Sequence, residues 1–291
     1  MDHRDTHRDP DGPGWRRWFV PLVAALVVVG LIGLGVHLGV ERVRGLVTPT
    51  CRAAAAGRTA ALDPEQTHNA AVIAAVAQRR GLPPRAVTIA LATAIQESKL
   101  RNITYGDRDS VGLFQQRPSQ GWGNREQILD PAYAANRFYD ALVRIEGYED
   151  MRITEIAQRV QRSAYPEAYA DHEWEGRVYA SNLTGHTESG LGCRLKDPDG
   201  PGDASRLSAA LSEELGVRGT ATGRDVTVAA ASRRQAWAVG TWAVAQAQAR
   251  RTTSVTVGDR VWTRARGEEA WSWQQASDPL PEQQVRITVA G

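Results

Sequence analysis

Lysine is almost missing from this 291-residue chain: Lys99 and Lys196 stand alone among 35 basic residues, and the others are arginine. Against 33 acidic residues the net charge is only +2, so there is no basic field to hold nucleic acid by its phosphates. Cysteine is equally scarce, with Cys51 and Cys193 permitting one disulfide at most. The chain lacks an HExxH pattern, Cys/His zinc spacing and a glycine-rich phosphate loop. Metal and nucleotide chemistry therefore have no footing, and no cofactor is expected. No internal repeat occurs, and no alternating strand pattern is visible between residues 63 and 180.

Charge is also absent from one long stretch, and that absence is informative. Residues 18–40, WFVPLVAALVVVGLIGLGVHLGV, are long enough to cross a hydrocarbon core of roughly 30 Å. Arg16 and Arg17 precede the run, and Trp15 and Trp18 stand at its edge as interfacial anchors do. A cleaved signal has an apolar stretch of about 7–15 residues and a small-residue cleavage site, which HLGVERVRG does not offer. Residues 18–40 are expected to be an uncleaved transmembrane anchor. Arg42 and Arg44 balance the upstream arginines, so orientation is read from the cysteines instead. A Cys51–Cys193 bond persists only in an oxidising compartment, which puts the chain beyond the anchor outside the cytoplasmic membrane.

The expected organisation follows. Residues 1–17 are a disordered cytoplasmic tail, 18–40 the anchor, and 41–62 an Ala/Arg-rich connector. Residues 63–195 form a helical domain and 204–291 a small α+β domain, with the DPDGPGD linker at 197–203 between them. The whole is expected to be mainly α. Asp63, Pro64 and Gln66 have the pattern of an N-cap, N1 and N3 opening a helix that stops at Gly81. Pro84 opens the next, whose residues 86–95 are apolar nearly all round, the mark of a buried central helix. Further helices are expected near 125–145, 152–162 and 204–215. Ser232 and Gln235 are placed to open one more, and Gly258-Asp259 to turn a hairpin.

The buried helix ends unexpectedly in Gln96-Glu97-Ser98. A core has no use for that carboxylate. The helix dipole and desolvation both disfavour its ionised form there, which is the direction a general acid needs. Ser98 either orients the carboxylate or satisfies a terminal carbonyl. Asp107 and Asp109 in YGDRDS are either turn residues or a second carboxylate. Gly112 allows close backbone approach, and Gln115 and Gln116 offer amides to sugar hydroxyl or N-acetyl groups. Trp122 is a flat platform for a sugar ring or a packing residue.

Taken together, A-x-Q-E-S-x-L-x-N followed by G-L-F-Q-Q resembles the lysozyme-like superfamily, in particular soluble lytic transglycosylases and goose-type lysozymes. ILDPAYAANRFYDAL is similar to the helix that follows in those proteins, and the likeness covers about residues 65–185. It implies that Glu97 is the catalytic acid and that Gly112, Leu113, Phe114 and Gln115 belong to the substrate groove. Phe114 stands where the family usually has methionine. The family's tyrosine over the acid has a partial counterpart in Ala164-Tyr165-Pro166, which points to Tyr165.

The implied activity is cleavage of the β-1,4 bond between N-acetylmuramic acid and N-acetylglucosamine in peptidoglycan glycan strands. A lytic transglycosylase does this with one glutamate acting first as acid, then as base. Two alternatives stay open: a hydrolytic lysozyme using Asp107 or Asp109, and a non-catalytic wall-binding or scaffold protein. The tryptophans of the last domain (Trp237, Trp242, Trp262, Trp271, Trp273) are either core or a surface for a protein partner.

Overall fold

Two strands occupy the segment expected as a connector. β1 (Thr50–Ala55) and β2 (Arg58–Leu62) pair antiparallel around Ala56-Gly57, whose φ values of 49° and 75° give the tight turn that suits strand twist. The computed structural model describes residues 48–161 and 166–291. The tail, the apolar run 18–40 and Tyr165 lie outside the described residues. Among the described residues no helix is long and apolar enough to cross a membrane.

After the hairpin come α1 (Pro64–Arg79), α2 (Pro84–Ser98), α3 (Arg125–Ile128), α4 (Pro131–Leu142) and α5 (Ile153–Gln161). A 3-10 segment, Pro166–His172, leads into α6 (Glu173–Leu183). The α1 start is as the sequence indicates. Asp63 accepts from the Gln66 amide while Gln66 returns its side chain to the Asp63 amide, satisfying two otherwise orphaned donors. β3 (Leu191–Arg194) then returns to pair with β1, giving a three-stranded sheet in the order β2-β1-β3. Cys51 and Cys193 sit opposite each other in that pairing and are disulfide-bonded.

The remaining chain forms α7 (Ala204–Ala210), which runs into a π-helical turn at Leu211–Leu215, then β4 (Thr220–Thr222) and β5 (Asp225–Ala229). α8 (Arg233–Ala245) and α9 (Ala247–Arg250) follow. β6 (Thr252–Val257), β7 (Arg260–Thr263), β8 (Gln274–Gln275) and β9 (Gln284–Val289) complete an antiparallel sheet ordered β4-β5-β9-β6-β7-β8. The turn at Gly258-Asp259 joins β6 to β7 with Gly258 at φ 55°. At α8 the cap is split: Ser232 takes the Gln235 amide, but Gln235 reaches back to the Ala231 amide at 2.6 Å.

The expectation of a mainly α chain is therefore corrected: the protein is mixed α/β with two antiparallel sheets. β1 and β2 escape a sequence reading because Ala and Arg are poor strand formers. Only their burial alternates, with Cys51 and Ala53 inward and Arg52 and Ala54 outward.

Thr48–Gly291 make one compact unit, and its centre is α2, buried from Ala86 to Ile95. α6 packs directly on it. A Cβ at Gly176 would lie 2.7 Å from the Thr88 carbonyl oxygen, so the missing side chain is what lets the two helices approach. Trp237, Trp242, Trp262 and Trp273 are buried and belong to the core. Trp271 is half-buried, donates to the Thr50 carbonyl at 3.1 Å, and carries the Arg52 and Arg194 guanidinium carbons 3.3 and 4.5 Å from its ring centroid. It joins β1 and β3 to the C-terminal region.

Candidate active site

Glu97 lies in the last turn of α2, half-buried, where the helix breaks into the left-handed region at Lys99 (φ 54°) and Leu100 (φ 56°). Both carbonyls released by that break are taken by α1: Gln66 Nε2 donates to Lys99 O and Asn69 Nδ2 to Leu100 O, each at 2.8 Å. Arg101 is held by Asp63 and, at 2.6 Å, by Glu65. The chain leaving Glu97 is thus fixed over its next four residues, and the carboxyl sits on a rigid support.

Tyr169 supplies the partner. Its ring is buried and its hydroxyl lies 2.5 Å from Glu97 Oε1, donating to the carboxylate. The tyrosine expected at this place was Tyr165, which lies outside the described residues. AYPEAYA contains two Ala-Tyr pairs four residues apart, and the second one reaches the acid. That repetition is the signal the sequence carries for Tyr169.

Ser98 is buried, with its hydroxyl 2.8 Å from Leu113 O and 3.1 Å from Ala94 O. It therefore ties the Gly112–Gln116 segment to the helix end instead of facing a substrate. Gly112, at φ 80°, would place a Cβ 2.7 Å from Ile128 O, so its role is to let this turn pack against α3. Leu113 and Phe114 are fully buried, and Phe114 stacks on Phe138 with centroids 4.7 Å apart. Gln116 is buried too, giving its amide to Ala134 O at 3.1 Å. Gln115 is half-exposed, and its amide bonds Gly112 O at 3.2 Å. Of the Gly-Leu-Phe-Gln-Gln run, Gln115 alone keeps surface for a ligand; the rest builds the turn that carries it.

The two aspartates divide. Asp109 accepts from the Ser119 amide at 2.7 Å, from Arg117 Nε at 2.7 Å and from the Ser119 hydroxyl at 3.0 Å. Those three donors, the backbone amide foremost, hold its carboxyl well below the usual range. Asp109 is the staple of its loop and is not poised as a base. Its contribution is complete at neutral pH and is lost only as pH falls through that depressed value. Asp109→Asn is accordingly expected to loosen residues 107–119, read as faster amide exchange confined to the loop; unchanged exchange would remove the staple role. Asp107 is exposed, with Arg108 at 3.9 Å.

Trp122 is half-buried against the core and lines a cavity of about 610 Å³ with Arg137, Arg144 and Arg159. Tyr105, which the sequence did not single out, is the most exposed large ring among the described residues at 73 %, and its carbonyl is 3.4 Å from the Gln115 amide. It presents a free aromatic face on the loop between Glu97 and Gly112. Among the described residues no group of three or more His, Cys, Asp or Glu side chains is arranged to hold a metal ion. No protein-family model matches the chain, and no curated protein matches it in sequence.

Proposed function

We propose that this protein is a peptidoglycan-cleaving enzyme of the lytic transglycosylase type, acting on the β-1,4 bond between N-acetylmuramic acid and N-acetylglucosamine. The observation that carries the reading is the half-buried Glu97 carboxyl on a rigid helix end, held by the Tyr169 hydroxyl beside the turn docked by Ser98. Residues 18–40 hold the enzyme to the cytoplasmic membrane, with the disulfide-bonded unit outside it. The Cys51–Cys193 bond supports an oxidising compartment.

In this scheme the protonated Glu97 gives its proton to the glycosidic oxygen as the bond to the muramyl C1 breaks. Glu97, now a carboxylate, takes the proton from that sugar's C6 hydroxyl as the C6 oxygen bonds to C1. The attack is intramolecular, which makes it competitive with water, and the product is a 1,6-anhydro ring. One carboxyl suffices, and the engagement of Asp109 by Arg117 and Ser119 favours this single-acid scheme over a two-carboxylate hydrolysis. The direct test is mass spectrometry of fragments released from purified peptidoglycan by the full-length protein in detergent. Anhydro-muropeptides support the reading; fragments one water heavier, with reducing ends, replace it with a lysozyme.

Tyr169 is a positioning residue here. Tyr169→Phe keeps the buried ring and removes the hydroxyl that donates to Glu97 Oε1, a bond that strengthens once Glu97 has given up its proton and become charged. It is expected to lower kcat roughly ten- to a hundredfold with little change in KM or melting temperature. An equal loss with a lowered melting temperature would mean the hydroxyl is only structural.

A further inference from the structure

A second concave surface begins one residue past Tyr169. This cavity, of about 710 Å³, is lined by Ala170, by Trp174, Arg177 and Ser181 of α6, and by Ala56 and Arg58 of the β1–β2 hairpin. From Trp174 to Ser181 a helix rises about 10 Å, the length of roughly three extended residues. The lining is an amphipathic helix stripe facing a hairpin tip. Nothing in the cleavage chemistry described above uses it.

Its charges are unevenly committed. Glu173 also lines the cavity, but Arg85 at 2.5 Å and Arg177 at 3.0 Å both engage its carboxylate. Burial pushes that carboxyl up, yet the bonds and charges of the two arginines outweigh it and hold it below its ordinary value. The Arg58 guanidinium has no ion pair or hydrogen bond to any described residue, and its carbon stands 5.6 Å from the Trp174 ring centroid. The cavity thus offers one spare guanidinium beside an aromatic face. That pairing suits a carboxylate on a small, partly apolar body. A polyphosphate chain would call for several free cations, and a neutral sugar for none.

We infer that this cavity receives the peptide borne by the muramyl residue whose glycosidic bond is cut, with Arg58 binding a peptide carboxylate and Trp174 packing against its side chains. The inference rests on the cleavage reading for the identity of that ligand. The peptide is joined through a lactyl ether to the muramyl ring itself, so it leaves the sugar within a few bonds of the atom that Glu97 protonates. Tyr169 touches Glu97, and Ala170, its neighbour in the chain, lines the cavity. A peptide leaving the ring on that side is led along this segment toward the cavity. Arg58 is then a specificity-determining residue.

The experiment has two independent arms, both on the full-length protein in detergent. In the first, N-acetylmuramyl-L-alanyl-D-isoglutamine and N-acetylmuramic acid are titrated by calorimetry into wild type, Arg58→Ala and Trp174→Ala. The peptide-bearing sugar is expected to bind more tightly, and Arg58→Ala to weaken it about tenfold, leaving the bare sugar unaffected. In the second, cleavage rates are compared on intact peptidoglycan and on strands stripped of peptide by an amidase. Wild type is expected to prefer intact strands and Arg58→Ala to lose that preference while keeping its rate on stripped ones. If wild type cuts both substrates equally and Arg58→Ala matches it throughout, the peptide site is overturned and the cleavage reading stands. If neither substrate is cut but the dipeptide still binds through Arg58, the site stands and the cleavage reading falls. Binding that ignores the peptide, or survives Arg58→Ala, overturns the site in either case.

Discussion

Glu97→Gln is expected to abolish fragment release from peptidoglycan, lowering the rate by roughly 10³-fold, while the protein still folds and still sediments with the wall. Glutamine is the informative replacement because it keeps the shape of the side chain. Its amide oxygen can accept the Tyr169 hydroxyl just as Glu97 Oε1 does at 2.5 Å. The capture of the chain after the helix, through Gln66, Asn69 and Arg101, involves none of its atoms. What the amide cannot do is deliver a proton to a leaving oxygen or take one back from a C6 hydroxyl. A rate within a few-fold of wild type would therefore remove Glu97 from the chemistry. Loss of activity with loss of folding would instead assign it a structural role, and circular dichroism on the same sample separates the two. A wild type that binds the wall but releases no fragments would leave a binding module.

Glu97 stands out in the sequence because its position violates an otherwise consistent pattern. A helix apolar over 86–95 has no packing reason to end in a carboxylate, and functional sites are where such local rules break. The capping signals at Asp63 and Ser232 and the turn at Gly258 were readable because each rests on a short-range backbone requirement. Three features were not. The β1–β2 hairpin is written in alanine and arginine, so neither propensity nor hydrophobic alternation marks it, and it is held by pairing with β3, far away in sequence. Tyr169 reaches Glu97 through the path of the chain into α6, which the local sequence does not specify. The burial of Ser98, Phe114 and Gln116 is tertiary as well. Residues that look like a substrate groove in a linear motif prove to be the framework of the turn, while Tyr105 and Gln115 keep the surface.

Reduction, or Cys51→Ser with Cys193→Ser, is expected to cost about 5 kcal/mol of stability, since the bond closes a chain separation of 142 residues and removes that loop's freedom from the unfolded state. Against a total of roughly 5–15 kcal/mol for a folded domain, this is a large share. The melting temperature should fall by on the order of 10–20 °C. The loop so closed contains every element that supports Glu97, from α1 to α6. The bonded residues face each other across β1 and β3, and Tyr179 donates to Cys51 O at 3.3 Å. Losing the bond should therefore first free the hairpin edge and Arg58, and only at higher temperature the α2–α6 contact. Hydrogen exchange on the double serine variant reads that order directly, with β1 and β3 amides exposed before those of α2. A melting temperature unmoved by reductant would show that strand pairing and the clasp of Arg52 and Arg194 on Trp271 hold the sheet without it. The compartment argument would then lose its physical basis, because a fold indifferent to the disulfide has no need of oxidising surroundings.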